Sequence, residues 1–169
     1  IVTWRQNINI GGAFREAINR FTLPLDNVVV AVSGPVRKAE IERGRIAENK
    51  VITVPNCVDT APFQLSSDQE RAYLRAQFGV PPQAPLIGFV GRLHSQKGLL
   101  DLIAAMVCVV EQVPETRLWV VGEGEMRPAV EERIAALGLD DKVTLLGART
   151  DVPQLLSAMD LFVLPSHWE

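Results

Sequence analysis

The sequence predicts a parallel α/β protein built on two sheets. Short apolar runs recur along the chain and are followed by stretches that open on a helix-capping residue; between residues 85 and 164 strand and helix alternate without interruption; and a proline-rich, polar stretch from Cys57 to Pro85 separates an earlier strand–helix–strand unit from that series. The alternation implies parallel strands, because each must return to the same edge of the sheet through a crossover.

Residues 1–4 read as the end of a strand and residues 12–20 as a short helix. Residues 27–32 form the first clear strand, Ser33 caps a helix with Pro35 in its first turn, and residues 51–54 form the next strand. This βαβ unit carries a right-handed crossover. Asp59, Pro62, Ser66, Ser67, Pro81, Pro82 and Pro85 then mark residues 60–84 as a connection between two domains. Within it, Ser67 with Glu70 three residues on makes a capping box for a helix that stops at Gly79. Beyond it, strands at 86–90, 117–121, 143–146 and 161–164 alternate with helices near 97–112, 125–137 and 152–158. Ser95 is expected to cap the first of these helices, Gly138 to end the second, and Asp151 to cap the third ahead of Pro153.

Composition excludes several function classes. With 169 residues, 47% of them apolar, the chain can bury a core. The net charge of −3 gives no whole-chain basic footprint, so nucleic acid is not an expected partner. No apolar run approaches the roughly 18 residues of a membrane span. Cys57 and Cys108 match neither a disulfide framework nor a metal motif, which fits a reducing cytoplasm. The chain opens on Ile1 in an apolar stretch and stops at Glu169 just after a predicted strand, so a fragment with two incomplete sheets, inactive on its own, is expected.

In parallel open sheets ligands bind beyond the carboxyl ends of the strands. The strand tips of the second series carry Gly91, Arg92 and Lys97; Gly122, Glu123 and Gly124; Gly147 and Arg149; and Pro165, Ser166, His167 and Glu169. All four tips fall on one edge. Arg92 and Lys97 stand where a helix begins, and its unpaired N–H groups and dipole already favour an anion, to which two cations add charge-assisted hydrogen bonds. Such a loop suits a diphosphate. Glycines allow close backbone approach, and three cations beside the carboxylates of Glu123 and Glu169 suit a phosphorylated, hydroxyl-rich molecule.

Rival readings fit less well. Gly122-Glu123-Gly124 could open a dinucleotide fingerprint, but Arg127 replaces its third glycine and Thr144 stands where an acidic residue would hold ribose. The loop at 91–98 also lacks the Gly-Lys-Ser/Thr ending of a P-loop. His94 and His167 are the only histidines, too few for a metal cluster, and are read as loop residues. Trp119, in a strand, and Met106, in a helix, are assigned to the core; for Glu169 surface charge and site residue both stay open.

Gly91-Arg92-Leu93 with Lys97-Gly98, the run from Leu118 through Trp119, Val120, Val121, Gly122 and Glu123 to Gly124, Leu137-Gly138-Leu139 with residues 143–147, and Asp151-Val152 with Phe162-Val163-Leu164-Pro165-Ser166 together resemble the retaining glycosyltransferases of family four, "group 1", of GT-B fold. The resemblance runs through most of residues 28–169, and the order and spacing of its motifs are more specific than any one of them. It implies two Rossmann-like domains with parallel sheets. Residues 1–59 correspond to the end of an acceptor domain, residues 60–84 to the connection, and residues 85–169 to the first half of a nucleotide-sugar donor domain.

The resemblance further implies transfer of a sugar from a nucleotide diphosphate sugar to an acceptor hydroxyl with retention, in polysaccharide or glycoconjugate biosynthesis. By it, Arg92 and Lys97 hold the donor diphosphate, Gly91, Gly122 and Arg149 line the donor site, and Glu169 matches the first glutamate of a Glu-x7-Glu motif that contacts the donor sugar. No metal or separate cofactor is implied. The acceptor would be a sugar, a lipid-linked species or another hydroxyl, and the location cytoplasmic, with peripheral association at the inner face of a membrane left open. Cys57 replaces the glycine of the usual Asn-Gly-Val-Asp, the strand end Thr3-Trp4-Arg5 lacks the histidine many relatives carry, and the glycine-rich loop of the first domain is missing. A non-catalytic nucleotide- or sugar-phosphate-binding module and a GT-B sugar phosphorylase remain as alternatives.

Overall fold

The computed structural model describes residues 2–5, 28–44, 46–64 and 66–168. The helix expected at 12–20 lies outside the described residues, as does Glu169. The chain divides into two compact units, Ile1–Asp59 and Thr60–Glu169.

The first unit is a parallel three-stranded sheet in the order β1 (Val2–Arg5), β2 (Val28–Ala31), β3 (Val51–Thr53). Helix α1 (Gly34–Gly44) makes the crossover from β2 to β3. Its start is fixed as the sequence predicts, with the Ser33 hydroxyl accepting from the Val36 N–H at 3.3 Å. Val29, Ala31, Val36, Ile46 and Val51 make the core of this unit.

The second unit begins with α2 (Asp68–Gln77), closed at its N-terminus by the reciprocal Ser67–Glu70 capping box. Residues 60–84 are therefore more than a connection. Helix α2 packs against α5 (Val152–Ala158), and Val80 and Ala84 join the core of the second sheet. That sheet has four parallel strands, β4 (Leu86–Val90), β5 (Arg117–Val121), β6 (Val143–Gly147) and β7 (Leu161–Phe162), in the order β6-β5-β4-β7. Helices α3 (Leu99–Gln112) and α4 (Arg127–Ala136) complete the unit.

Residues of β4 and β5 alternate between two cores. Phe89, Leu118 and Val120 meet Leu102, Ile103 and Met106 of α3 and Val130 and Ile134 of α4; Leu86, Trp119 and Val121 meet Val80, Leu155, Ala158 and Met159. Burial on both faces is why these strands read as unbroken apolar runs. Trp119 and Met106 are fully buried, and Phe78 meets the Trp119 ring edge-on, with centroids 5.4 Å apart.

Four local expectations are corrected. The helix after β4 does not start near Lys97: a 3-10 turn, Ser95–Lys97, comes first, and Gly98 at φ +63° separates it from α3. The capping side chain is that of His94, whose Nδ1 accepts from the Gln96 N–H at 3.1 Å, and not that of Ser95. Asp151 does not cap α5 either, because its carboxylate is taken by Arg149. Strand β7 pairs with β4 over two residues only, Leu161 and Phe162, shorter than the expected 161–164.

Candidate donor site

In the order β6-β5-β4-β7 successive strands step away from β4 on one side, and β7 then returns to its other side. The chain reverses between β4 and β7, and the crevice of an open α/β sheet lies outside the carboxyl ends of such a pair. Two segments rim it, residues 91–98 after β4 and residues 163–168 after β7.

Main-chain bonds hold the first segment against the loop after β5. Gly91 N–H donates to the Val121 carbonyl at 2.9 Å, Leu93 N–H to the Glu123 carbonyl at 2.9 Å, and Met126 N–H to the Leu93 carbonyl at 3.0 Å. Gly122, at φ +136°, lies so close that a Cβ there would fall 1.9 Å from the Gly91 carbonyl oxygen. A Cβ at Gly124 would fall 2.3 Å from the Leu93 carbonyl oxygen. The sequence reading assigned these glycines to close approach of a ligand. The structure shows that Gly122 and Gly124 are needed first for the approach of one loop backbone to another.

The predicted site residues separate into two groups. Gly91, Arg92 and Gly122 come together at the tips of β4 and β5, and Lys97 ends the 3-10 turn that follows. Arg149, after β6, is engaged elsewhere: its guanidinium donates to both carboxylate oxygens of Asp151, at 2.8 and 2.7 Å, and lies 5.5 Å from the centroid of the Phe78 ring. The hydrogen bonds from Arg149 hold the Asp151 carboxyl below its ordinary range, with burial opposing them. The Gly147 carbonyl accepts from the Gly122 N–H at 2.8 Å and ties the β6 tip to the β5 tip.

Sequence reasoning missed Glu125. Its carboxylate lies 3.5 Å from Arg92 Nη2 and 3.3 Å from His94 Nε2, so it balances the cationic side of the loop. The signal was the acidic residue directly after Gly124, which chain-local reading could not aim at Arg92. Both Arg92 and Glu125 are exposed, so the pair contributes little to stability. Among the described residues no group of three or more His, Cys, Asp or Glu side chains gathers as a metal site. Cys57 and Cys108 are free and exposed. No described helix is long and apolar enough to cross a membrane.

Comparison with known proteins accords with this geometry. Residues 84–169 match the family "Glycosyl transferases group 1", and the chain belongs to that family. Its fold is the GT-B-type α/β architecture of parallel, Rossmann-like units. The chain is similar to Anabaena Alr3699/HepE, solved in complex with UDP and glucose, at TM-score 0.80 and 27% identity over 98% of this chain and 46% of that one. It is 30% identical over 128 residues to the lipopolysaccharide core biosynthesis mannosyltransferase LpsB of Rhizobium meliloti (strain 1021), covering 70% of this chain and 36% of LpsB. It is 33% identical over 146 residues to the D-inositol 3-phosphate glycosyltransferase of Segniliparus rotundus, covering 79% of this chain and 32% of that protein. The chain thus spans about a third of the length of these curated relatives.

Proposed function

We propose that the complete protein transfers a sugar from a nucleotide diphosphate sugar to an acceptor hydroxyl with retention at the anomeric carbon. The observation that carries this is the loop at 91–98, which brings Arg92 and Lys97 to the carboxyl edge of the sheet at its point of reversal. In this reading the unit 60–169 holds the donor and residues 1–59 belong to the acceptor side. Gly91 gives the diphosphate backbone access, Gly122 and the loop at 147–149 border the nucleoside, and Glu169 contacts the donor sugar.

Breaking the bond from the anomeric carbon to the diphosphate leaves negative charge on the departing nucleotide. Two cations fixed beside it lower that barrier, because preorganised charge is not reorganised as the reaction proceeds. Glu125 occupies Arg92 before the donor arrives and gives it up to the diphosphate, the denser anion. UDP is the first nucleotide to test, since HepE binds UDP. A sugar or lipid-linked acceptor fits relatives such as LpsB, and the reading includes a cytoplasmic protein working at a membrane face on glycoconjugates.

The experiment is a donor screen on the complete protein, following release of UDP, GDP or ADP from a panel of nucleotide sugars. Release from one donor is expected, and Arg92→Ala or Lys97→Ala should each lower donor affinity or rate roughly 10- to 100-fold, the worth of one charge-assisted hydrogen bond. Unchanged kinetics in Lys97→Ala would sink the assignment. Tight nucleotide binding without release would instead mark a binding module, and turnover dependent on free phosphate a phosphorylase.

A further inference from the structure

We infer that Gln96 is a positioning residue that joins the phosphate loop to the segment entering the donor-sugar site, and so sets how much binding energy the sugar end of the donor contributes. The inference rests on reading the loop at 91–98 as the donor diphosphate site.

Strand β7 stops pairing with β4 early. After the Val163 N–H donates to the Gly88 carbonyl at 2.9 Å, residues 164–168 continue without a strand ladder beside them. Gln96 supplies the bonds that the ladder no longer does. Its carbonyl accepts from the His167 N–H at 2.8 Å, and its side-chain Nε2 donates to the Trp168 carbonyl at 2.8 Å. Asp101, on the first turn of α3, adds a third tie, its carboxylate 3.2 Å from His167 Nε2.

The fit of the backbones agrees. A Cβ at residue 98 would fall 2.0 Å from the Pro165 carbonyl oxygen, so the two segments can lie this close only because residue 98 is glycine. The left-handed turn at Gly98 also ends the 3-10 turn that carries Gln96 and Lys97 side by side. One residue thus stands next to a proposed phosphate ligand in sequence and grips the opposite rim of the crevice in space.

Residues 166–168 lead in sequence directly to Glu169, the residue that the proposed function assigns to the donor sugar. Gln96 touches neither the sugar nor the phosphate in this account. Its effect is to lower the ordering that residues 166–168 must undergo when the sugar binds, and it is selective: a nucleotide without a sugar gains nothing from it.

The test uses the complete protein with UDP-glucose and UDP as probes in titration calorimetry, with donor kinetics alongside. Gln96→Met keeps the side chain's length and adds no charge beside the diphosphate, but cannot donate to the Trp168 carbonyl. UDP-glucose should bind about 5- to 10-fold more weakly, and UDP less than about 2-fold differently, because one neutral hydrogen bond is lost on the sugar side alone. Asp101→Asn should move the ratio of the two affinities in the same direction by less. A ratio equal to wild type in Gln96→Met, or equal weakening of both ligands, overturns the inference. Wild-type protein that binds neither probe, nor any nucleotide sugar of the donor panel, overturns it through the donor reading; where another donor turns over, that nucleotide sugar and its free nucleotide replace UDP-glucose and UDP as the probes.

Discussion

Gly122→Ala is expected to destabilise the second unit by about 4 kcal/mol and to abolish high-affinity nucleotide binding, an effect at the upper end for a one-carbon change. Two costs combine. At φ +136° an L-residue is strained whatever its surroundings, and the added Cβ would fall 1.9 Å from the carbonyl oxygen of Gly91, which is backbone and cannot swing aside. Relief requires moving the strand tip at Gly91, and with it Arg92 and the bond from Leu93 N–H to the Glu123 carbonyl. Stability and binding should therefore fall together, as urea denaturation and nucleotide titration of the same preparation would reveal. Gly34→Ala is the control: nothing lies within 4 Å of a Cβ there, and alanine at the start of α1 should be neutral or mildly stabilising. A Gly122→Ala protein as stable as wild type would mean that the β4 and β5 tips do not pack as described.

What could be read from the sequence divides by how local its cause is. The bounds of β4 and β5 were legible to the residue, because strands buried on both faces leave continuous apolar runs. The Ser67–Glu70 box was legible because its partners stand three residues apart. Gly138, at φ +64°, closes α4 as predicted. Ser95 failed as a cap because the start of α3 is set by Gly98 fitting under Pro165, a contact between segments far apart in the chain. Asp151 failed because Arg149, two residues before it, competes for its carboxylate. At the candidate site, Gly91, Arg92 and Lys97 are proposed from one strand and its loop, whereas the contacts of Glu125 with Arg92 and of Gln96 with Trp168 join different loops and carry no chain-local mark.

The pair least visible in sequence is Arg75 with Asp160, and Asp160→Ala should cost about 2 kcal/mol, because it strips the buried Arg75 guanidinium and the Leu86 N–H of their acceptor although the Asp160 side chain itself is 44% exposed. Arg75 is 8% exposed and holds three elements at once: Nε donates to the Ala158 carbonyl at 3.0 Å, Nη1 to the Ala84 carbonyl at 3.3 Å, and Nη2 to Asp160. The same carboxylate accepts from the Leu86 N–H at 2.8 Å and from Arg71 at 3.2 Å. It thereby fixes the start of β4, the α5–β7 turn and α2 as one body. Burial works against the charge on Asp160, but the Leu86 amide, the Arg75 hydrogen bond and charge, and the Arg71 charge outweigh it and hold the carboxyl below the ordinary aspartate range. A group with a lowered folded pKa stabilises fully above its unfolded value, about 3.9 for aspartate, and the contribution is lost as pH falls through the folded one. The stability difference between wild type and Asp160→Asn, followed by denaturation from neutral pH into acid, should stay constant down to about pH 4 and shrink below it. A difference that does not shrink on acidification would show that the carboxylate's charge is not what Arg75 and Leu86 require, and that the shape of the side chain alone holds α2 to the sheet.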